Sequence, residues 1–547
     1  MAEKTLLATT FLTVLVVAPY WVMDPINLPK MALVGCLSFL SVGLILPLLS
    51  QTLFRARRVL FLIIALWVLD LFLIHLFSGR GFELSLYGIS GRNTGVLTYL
   101  AFALILFSSS VVSDETFLGK FQKMFMILGL TLTSYGLIQH LGYEPFPYIS
   151  AYENSVIGTF GNPNFQSAFL GIVGSFLFVT LLDGRLGKGW RIFSVSLLFF
   201  VVAGIRLTNS WQGFFNLAAG VGVAIVLILY KLNQKRIANL MLMLGLILFT
   251  LVALAMLNLG PLSTVIAKST LVARRVYWEA ASNILVQNPI FGAGLDGFGD
   301  WFRRGRTVTA AEVNGNLIAD SAHSVPLDIA SGGGFPLLLL YLALIGLTLF
   351  SIIKVTRDSE KNSYLFISLS AAWISYQAQS FISINQIGIG VIGWILMGLI
   401  IGYAYPTIRS FNGQGRTSKS DSKSTNKSSI KLYVPGLISL SIGALIYLPP
   451  YVAASKFYEG LKTSDARVIN SNAYLTPLDL RRMMVAADIL ERNKFFKESI
   501  EITKAANKAF PDSFDTWGLL AQLTLATDSD KLQSQKEQLR LDPNLKP

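Results

Sequence analysis

The chain has 547 residues, 53% of them hydrophobic and only 14% charged, with a mean hydropathy of +0.57. Soluble domains carry about 25% charged residues, so a water-soluble fold of this size is excluded. A membrane β-barrel is excluded too, because its alternation of apolar and polar residues is missing. The expected fold class is an all-α polytopic membrane protein. The single cysteine, Cys36, lies in an apolar run, and there are only three histidines. That leaves no disulfide framework and little basis for a metal centre, so no metal or other cofactor is expected.

Taken in chain order, apolar stretches long enough to cross a bilayer fall at about 5–23, 31–50, 59–77, 94–112, 124–141, 165–182, 192–205, 212–230, 237–259, 335–353, 363–383, 387–404 and 432–453. That is about thirteen transmembrane helices. The first lacks a small-residue cleavage site and reads as a retained helix. With the N-terminus inside, the cytoplasmic segments hold 21 Lys and Arg and the short outer loops hold four. This positive-inside bias accounts for the net charge of +14 as topology, and no nucleic-acid partner is expected.

The expected organisation is a transmembrane domain over 1–408 with a long outer loop at 260–334, then a basic cytoplasmic linker at 409–431. A last membrane helix over 432–453 and an extracytoplasmic tail over 454–547 follow. The stretch 411–429, rich in Ser, Lys, Asn and Gly, reads as flexible. In the tail, Pro477, Pro511 and Pro543 are 34 and 32 residues apart, and a helical pattern precedes each of the last two. The period is similar to that of tetratricopeptide repeats, about two of which fit. Such a tail either packs on the membrane domain or binds a protein partner; a plain helical tail is the alternative.

Ionisable groups are costly inside a bilayer, so where they collect is informative. No Lys or Arg falls inside the expected spans, and Asp70 is the main acidic exception. His75, His140, His323, Arg92, Arg206, Arg274 and Arg275 fall at or beyond the outer face. Three patterns stand out there. In "GTFGNPNFQSAF" (158–169), Gly161 and Pro163 predict a tight turn into a helix that Asn162 and Asn164 could cap, or whose anion they could bind. In "ARRVYWEAASNILVQNPIFGAGLDGFG" (273–299), Arg275, Trp278 and Ser282 share a helix face before a glycine-rich loop, and Arg275 suits a bidentate grip on phosphate. In "DSAHSVPLDIASGGGFP" (320–336), His323 is flanked by Asp320 and Asp328, either of which could orient the imidazole or raise its basicity.

Together with "YGISGRNTG" (87–95), "YGLIQHLGYEPF" (135–146) and "QSFISINQIGIGVIGWIL" (379–396), these strings, in this order, resemble the O-antigen ligase family. That family comprises bacterial membrane glycosyltransferases and includes O-antigen polymerases and O-linked oligosaccharyltransferases. The resemblance covers most of 85–405. It implies a GT-C-like helical fold in the bacterial cytoplasmic membrane and a polyprenyl diphosphate-linked glycan donor. It also implies an acceptor hydroxyl on a lipid, glycan or protein, and no metal. On that reading His323 is the base or positions the acceptor, and Arg275 is the main diphosphate ligand. Arg206 is a second cation, and Arg274, Arg92, Asn162, Asn164 and Asp320 line the substrate site. The chain departs from the family where it reads Ser210-Trp211 instead of Ser-Arg, with Arg206 one helical turn earlier, and where Ser324 stands in place of Asn. A polymerase of lipid-linked repeats, a transporter of lipid-linked sugars and a non-catalytic scaffold are the rival readings.

Overall fold

An α-helix rises about 1.5 Å per residue, so about 20 apolar residues are needed to cross the hydrocarbon layer. The computed structural model describes residues 1–146, 152, 155–256, 259–261, 269–313, 318–406 and 425–544. Among these there is no strand. The first half of the chain gives α1 (Ala2–Leu15), α2 (Asn27–Ile45), α3 (Gln51–Ala56), α4 (Arg58–Phe77), α5 (Phe82–Tyr87), α6 (Val96–Val111), α7 (Glu115–His140), α8 (Pro163–Thr180), α9 (Lys188–Leu207), α10 (Gln212–Lys231) and α11 (Lys235–Met256). Next come α12 (Ser269–Gln287), α13 (Phe298–Gly305), α14 (Val308–Val313), α15 (Val325–Thr356), α16 (Tyr364–Ile382), α17 (Ile387–Ala404) and α18 (Thr425–Thr463). The tail adds α19 (Ala466–Ala473), α20 (Leu480–Arg492), α21 (Phe496–Ala509), α22 (Phe514–Gln522) and α23 (Asp528–Leu541).

Each of the thirteen expected stretches contains a helix, and among the described residues ten helices are long and apolar enough to span a membrane. Three of the thirteen expected stretches fall short of that length and hydropathy. The first stretch stops at Leu15, and α6 has only 16 residues. The 19 residues of α16 carry four serines and two glutamines, which lower its hydropathy. Conversely, the short 192–205 stretch becomes a full 20-residue helix, because Lys188 to Arg191 start it about one turn earlier and Arg206 and Leu207 extend it. The last membrane helix also differs from its expected bounds: α18 begins at Thr425, inside the expected linker, and runs unbroken to Thr463. The expected linker residues 409–424 lie outside the described residues.

The core is built around α17, in which every residue is buried, as expected for a helix that is apolar on all sides. It packs on α6, α15 and α16, while α8 packs on α9, α10 and α16. In contrast, α11 is almost wholly exposed and presents its apolar residues to lipid. Basic side chains close three helix ends inside the fold. Lys30 Nζ donates to the carbonyls of Thr13 (3.0 Å), Val14 (2.7 Å) and Val16 (2.9 Å) at the end of α1. Arg57 donates to the carbonyls of Ser110, Gly402 (3.0 Å) and Tyr405 (3.1 Å), where α6 and α17 end. Short α1 therefore ends within the protein with its terminal carbonyls satisfied, as non-helical backbone at membrane depth requires.

In the tail each helix packs on its neighbour, from α19 to α23, over a small core that includes Met483, Leu490, Ile502 and Phe510. The tail also docks on the membrane domain through α13 and α23.

A hydrogen bond from a charged donor contributes about 1.5–3 kcal/mol, and its loss leaves buried carbonyls unpaired. Lys30→Met is expected to lower the melting temperature of the detergent-solubilised protein by several degrees, as read by a fluorescence thermal shift.

Candidate functional site

The site is assembled where the glycine-rich loop after α12 meets the start of α15. That helix is broken at Gly334, whose φ of +72° is left-handed. A Cβ there would lie 2.4 Å from the carbonyl oxygen of Ile290. Ala293 N–H donates to Ser331 O (2.8 Å) and Phe335 N–H to Pro289 O (2.8 Å). The "GGG" run and "FGAGLDG" thus approach backbone to backbone, which only residues without side chains allow.

This seam sets the direction of Asp296, itself at φ +61°. Its Oδ2 accepts N–H bonds from Ile89 (2.8 Å) and Thr94 (3.4 Å), and its Oδ1 pairs with Arg92 Nε at 2.9 Å. The 87–95 motif therefore wraps the carboxylate of the 291–299 motif. Arg80 adds a second tie, donating to the Asp296 carbonyl (3.1 Å) and pairing with Asp300 (2.9 Å). Arg92 also donates to the Asp320 carbonyl and lies 3.8 Å from its carboxylate. Burial opposes the charge on Arg92, but Asp296 and Asp320 outweigh it, and its pKa is raised.

Arg92 and Asp320 lead directly to His323. The histidine backbone is left-handed (φ +51°), fixed between buried Ala322 and Ser324. Asp328 Oδ1 accepts the Ala322 N–H (2.7 Å), and Ser321 Oγ accepts that of His323 (3.0 Å). The imidazole stacks on Tyr277, with centroids 5.3 Å apart and planes at 24°. Tyr277 is braced from behind by Phe302, edge-on at 5.8 Å. Burial pushes the His323 pKa down to about 4; Asp320 works against that shift, and Arg274 and Arg92 reinforce it. Burial also lowers the pKa of Arg274, with Tyr277 opposing. Among the described residues, Arg274 has no carboxylate partner.

The structure thus brings together Arg92, Asp320, His323 and Arg274 of the residues singled out above. It adds Asp296 and Tyr277, which were not, and gives Asp328 a different part. Asp328 fixes the backbone before the histidine, and the imidazole packs on a tyrosine instead of a carboxylate. The face of α12 that packs on the loop core differs from the Arg275, Trp278 and Ser282 face. Arg275 and Ser282 are exposed, while Trp278 is buried against Phe381 (5.6 Å). Tyr277, Ala281 and Ile284 face the loop core. Arg275 is not brought to His323 by any described contact.

The asparagine motif forms a separate cluster. Gly161 is left-handed (φ +73°), Asn162 caps α8 by accepting the Asn164 N–H (2.8 Å), and Pro163 takes the first turn. Asn164 Oδ1 in turn accepts the Ser210 hydroxyl (2.7 Å). Arg206 is exposed at the end of α9 and donates to Asn209 (3.0 Å). No described contact joins this cluster to His323. Among the described residues, no group of three or more His, Cys, Asp or Glu is placed to hold a metal ion.

The fold defines a multi-pass helical membrane protein, and the contacts around His323 form a polar cluster at one end of its helix bundle. Residues 196–342 match the model of the O-antigen ligase family, a segment that runs from α9 into α15 and includes Arg274, Tyr277, Asp296 and His323. That segment, about a quarter of the chain, is similar to the O-antigen ligase family. No curated protein matches the chain.

Because the folded imidazole binds its proton only near pH 4, and an unfolded one near 6.5, the unfolded chain takes up more protons in between. The contribution of His323 is complete above pH 6.5 and is lost as pH falls toward 4. Comparing the pH dependence of melting for the wild type and His323→Gln is expected to show a shallower decline in the variant across that window.

Proposed function

We propose that the protein transfers a glycan from a polyprenyl diphosphate carrier to an acceptor hydroxyl, at the outer face of the cytoplasmic membrane. Glycan transfer of the ligase or polymerase type follows from the family; the residue roles below are our reading. In the transfer, the acceptor oxygen forms a bond to the anomeric carbon while the bond from that carbon to the diphosphate oxygen breaks. The electron pair leaves with the diphosphate, and the hydroxyl proton must go to a base.

The observation that carries this reading is the His323 imidazole stacked on Tyr277 inside the family-matched segment, its pKa lowered by burial, with Arg274 one helical turn before that tyrosine and without a carboxylate partner among the described residues. His323, kept free of its proton by burial, takes the acceptor proton and afterwards gives it to water. Arg274 meets the negative charge that develops on the departing diphosphate, which a planar two-pronged donor suits. Arg92 is already committed to Asp296 and Asp320, so it positions the histidine loop instead of gripping the donor. Arg206, exposed at the same end of the bundle, is available for the outer part of the diphosphate or the glycan. The placement also supports the expected topology. The loops rich in Lys and Arg follow α2, α10, α15 and α17, whereas the site follows α4 and precedes α15, at the opposite ends of the helices.

The test uses membranes carrying the full chain and a lipid-linked glycan donor, with product read by gel mobility. His323→Ala and Arg274→Ala are expected to lower transfer by about 100-fold or more, the cost of removing one preorganised charge-stabilising group. Arg275→Ala is expected to stay within threefold of wild type. Full activity in both His323→Ala and Arg274→Ala would overturn the assignment. The acid limb of the rate profile is expected near pH 4, not near 6.5.

A further inference from the structure

The loop segment behind the histidine is held by the far end of the chain. Helix α13 and the residue after it present three arginines, and each meets an aspartate of the tail. Arg306 pairs with Asp542 at 2.6 Å, and both side chains are almost fully buried (3% and 0% exposed). Arg303 lies 3.6 Å from the same carboxylate and 4.0 Å from Asp515. Its guanidinium also covers the ring of Phe514 at 3.9 Å. Arg304 pairs with Asp512 at 3.3 Å, and Asn544 donates to the Arg306 carbonyl (3.3 Å).

This arrangement has a mechanical consequence. A buried carboxylate shared by two guanidiniums is costly to separate, because each partner would be left charged in a low-dielectric seam. Helix α13 is only eight residues long, and a helix that short is not stable alone in water. What it carries inward is Phe302, fully buried, which braces Tyr277, and Tyr277 stacks on His323. At its other end Asp300 anchors Arg80, which also holds the Asp296 loop. Tail, α13, Phe302, Tyr277 and imidazole form one contiguous stack.

We propose that the C-terminal helical tail is part of the transfer site. Arg303, Arg304 and Arg306, with Asp512 and Asp542, are positioning residues that clamp α13 and thereby fix the Tyr277–His323 stack. This inference rests on His323 taking part in transfer, as argued above. On this account the tail is needed by the reaction itself, and a protein partner recruited by the tail would act on the site by loosening or tightening the clamp.

The experiment uses the full chain reconstituted in vesicles with a lipid-linked glycan donor. The variants are Asp542→Asn, Arg304→Asp, and Arg304→Asp combined with Asp512→Arg. Docking is read by a disulfide cross-link between Thr307→Cys and Asn544→Cys. Each single variant is expected to lose the cross-link and to lower kcat at least tenfold with KM within twofold. The acid limb of the rate profile should move from about 4 toward 6.5 as water reaches the imidazole. The charge-swapped pair is expected to regain the cross-link, the rate and the acid limb. A merely structural role would lower the amount of folded protein and leave the acid limb of the remainder in place.

The proposal is overturned if the single variants lose the cross-link yet keep kcat and the acid limb, or if none loses the cross-link. If wild type and His323→Ala transfer equally, the catalytic reading fails separately. The clamp is then judged by deuterium exchange: faster uptake over 274–284 and 298–306 in Asp542→Asn supports it, and unchanged uptake overturns it.

Discussion

Asp296 accepts two backbone N–H bonds from one segment and a guanidinium from the same segment, while its own loop is pressed against a broken helix. Without its charge, Arg92 would be buried beside the exposed carboxylate of Asp320 alone, and the 87–95 turn would lose the acceptor around which it closes. Everything nearer the reaction centre depends on this ion pair, because Arg92 also fixes the Asp320 backbone three residues before His323. A buried charge that is both paired and hydrogen-bonded is the form in which such a group is tolerated. Here it joins segments that the chain separates by about two hundred residues.

The second requirement is that the histidine be uncharged. Exposed on a loop, an imidazole would be partly protonated at neutral pH and so partly unavailable as a base. Stacking on Tyr277 and packing against the loop core leave it half-buried, which disfavours its charged form, and the neighbouring guanidiniums add to the effect. Arg274, whose charge is felt at the imidazole, has no carboxylate partner among the described residues. The division of labour among the arginines follows from their partners. Arg80, Arg92 and Arg306 are spent on carboxylates, and Arg274 is not.

Much of the architecture was legible because bilayer thickness and helical rise impose a ruler on any sequence. Most of the apolar stretches and the turn at Gly161–Pro163 lie where the pattern places them. Reading failed where the deciding contact is distant. Arg274 and Arg275 are adjacent, and a single helix cannot tell which of them turns inward. Phe302 and Phe381, far along the chain, settle it by covering Tyr277 and Trp278. Asp296 carried no local sign either, since a lone aspartate among glycines has the look of a turn residue, and its partner lies in another motif. The early end of α1 was concealed in the same way. Lys30 is the residue that closes it, and a lysine beside an apolar run reads as a surface charge.

The break at Gly334 separates two jobs within one continuous helix. The portion after it crosses the membrane, and the portion before it is bound to the loop that carries the reaction centre. Membranes differ in thickness, and spanning helices respond by tilting. A rigid rod would pass that tilt straight to the imidazole. Because the helical path is interrupted at Gly334, the rod and the loop-bound turn before it need not share one axis.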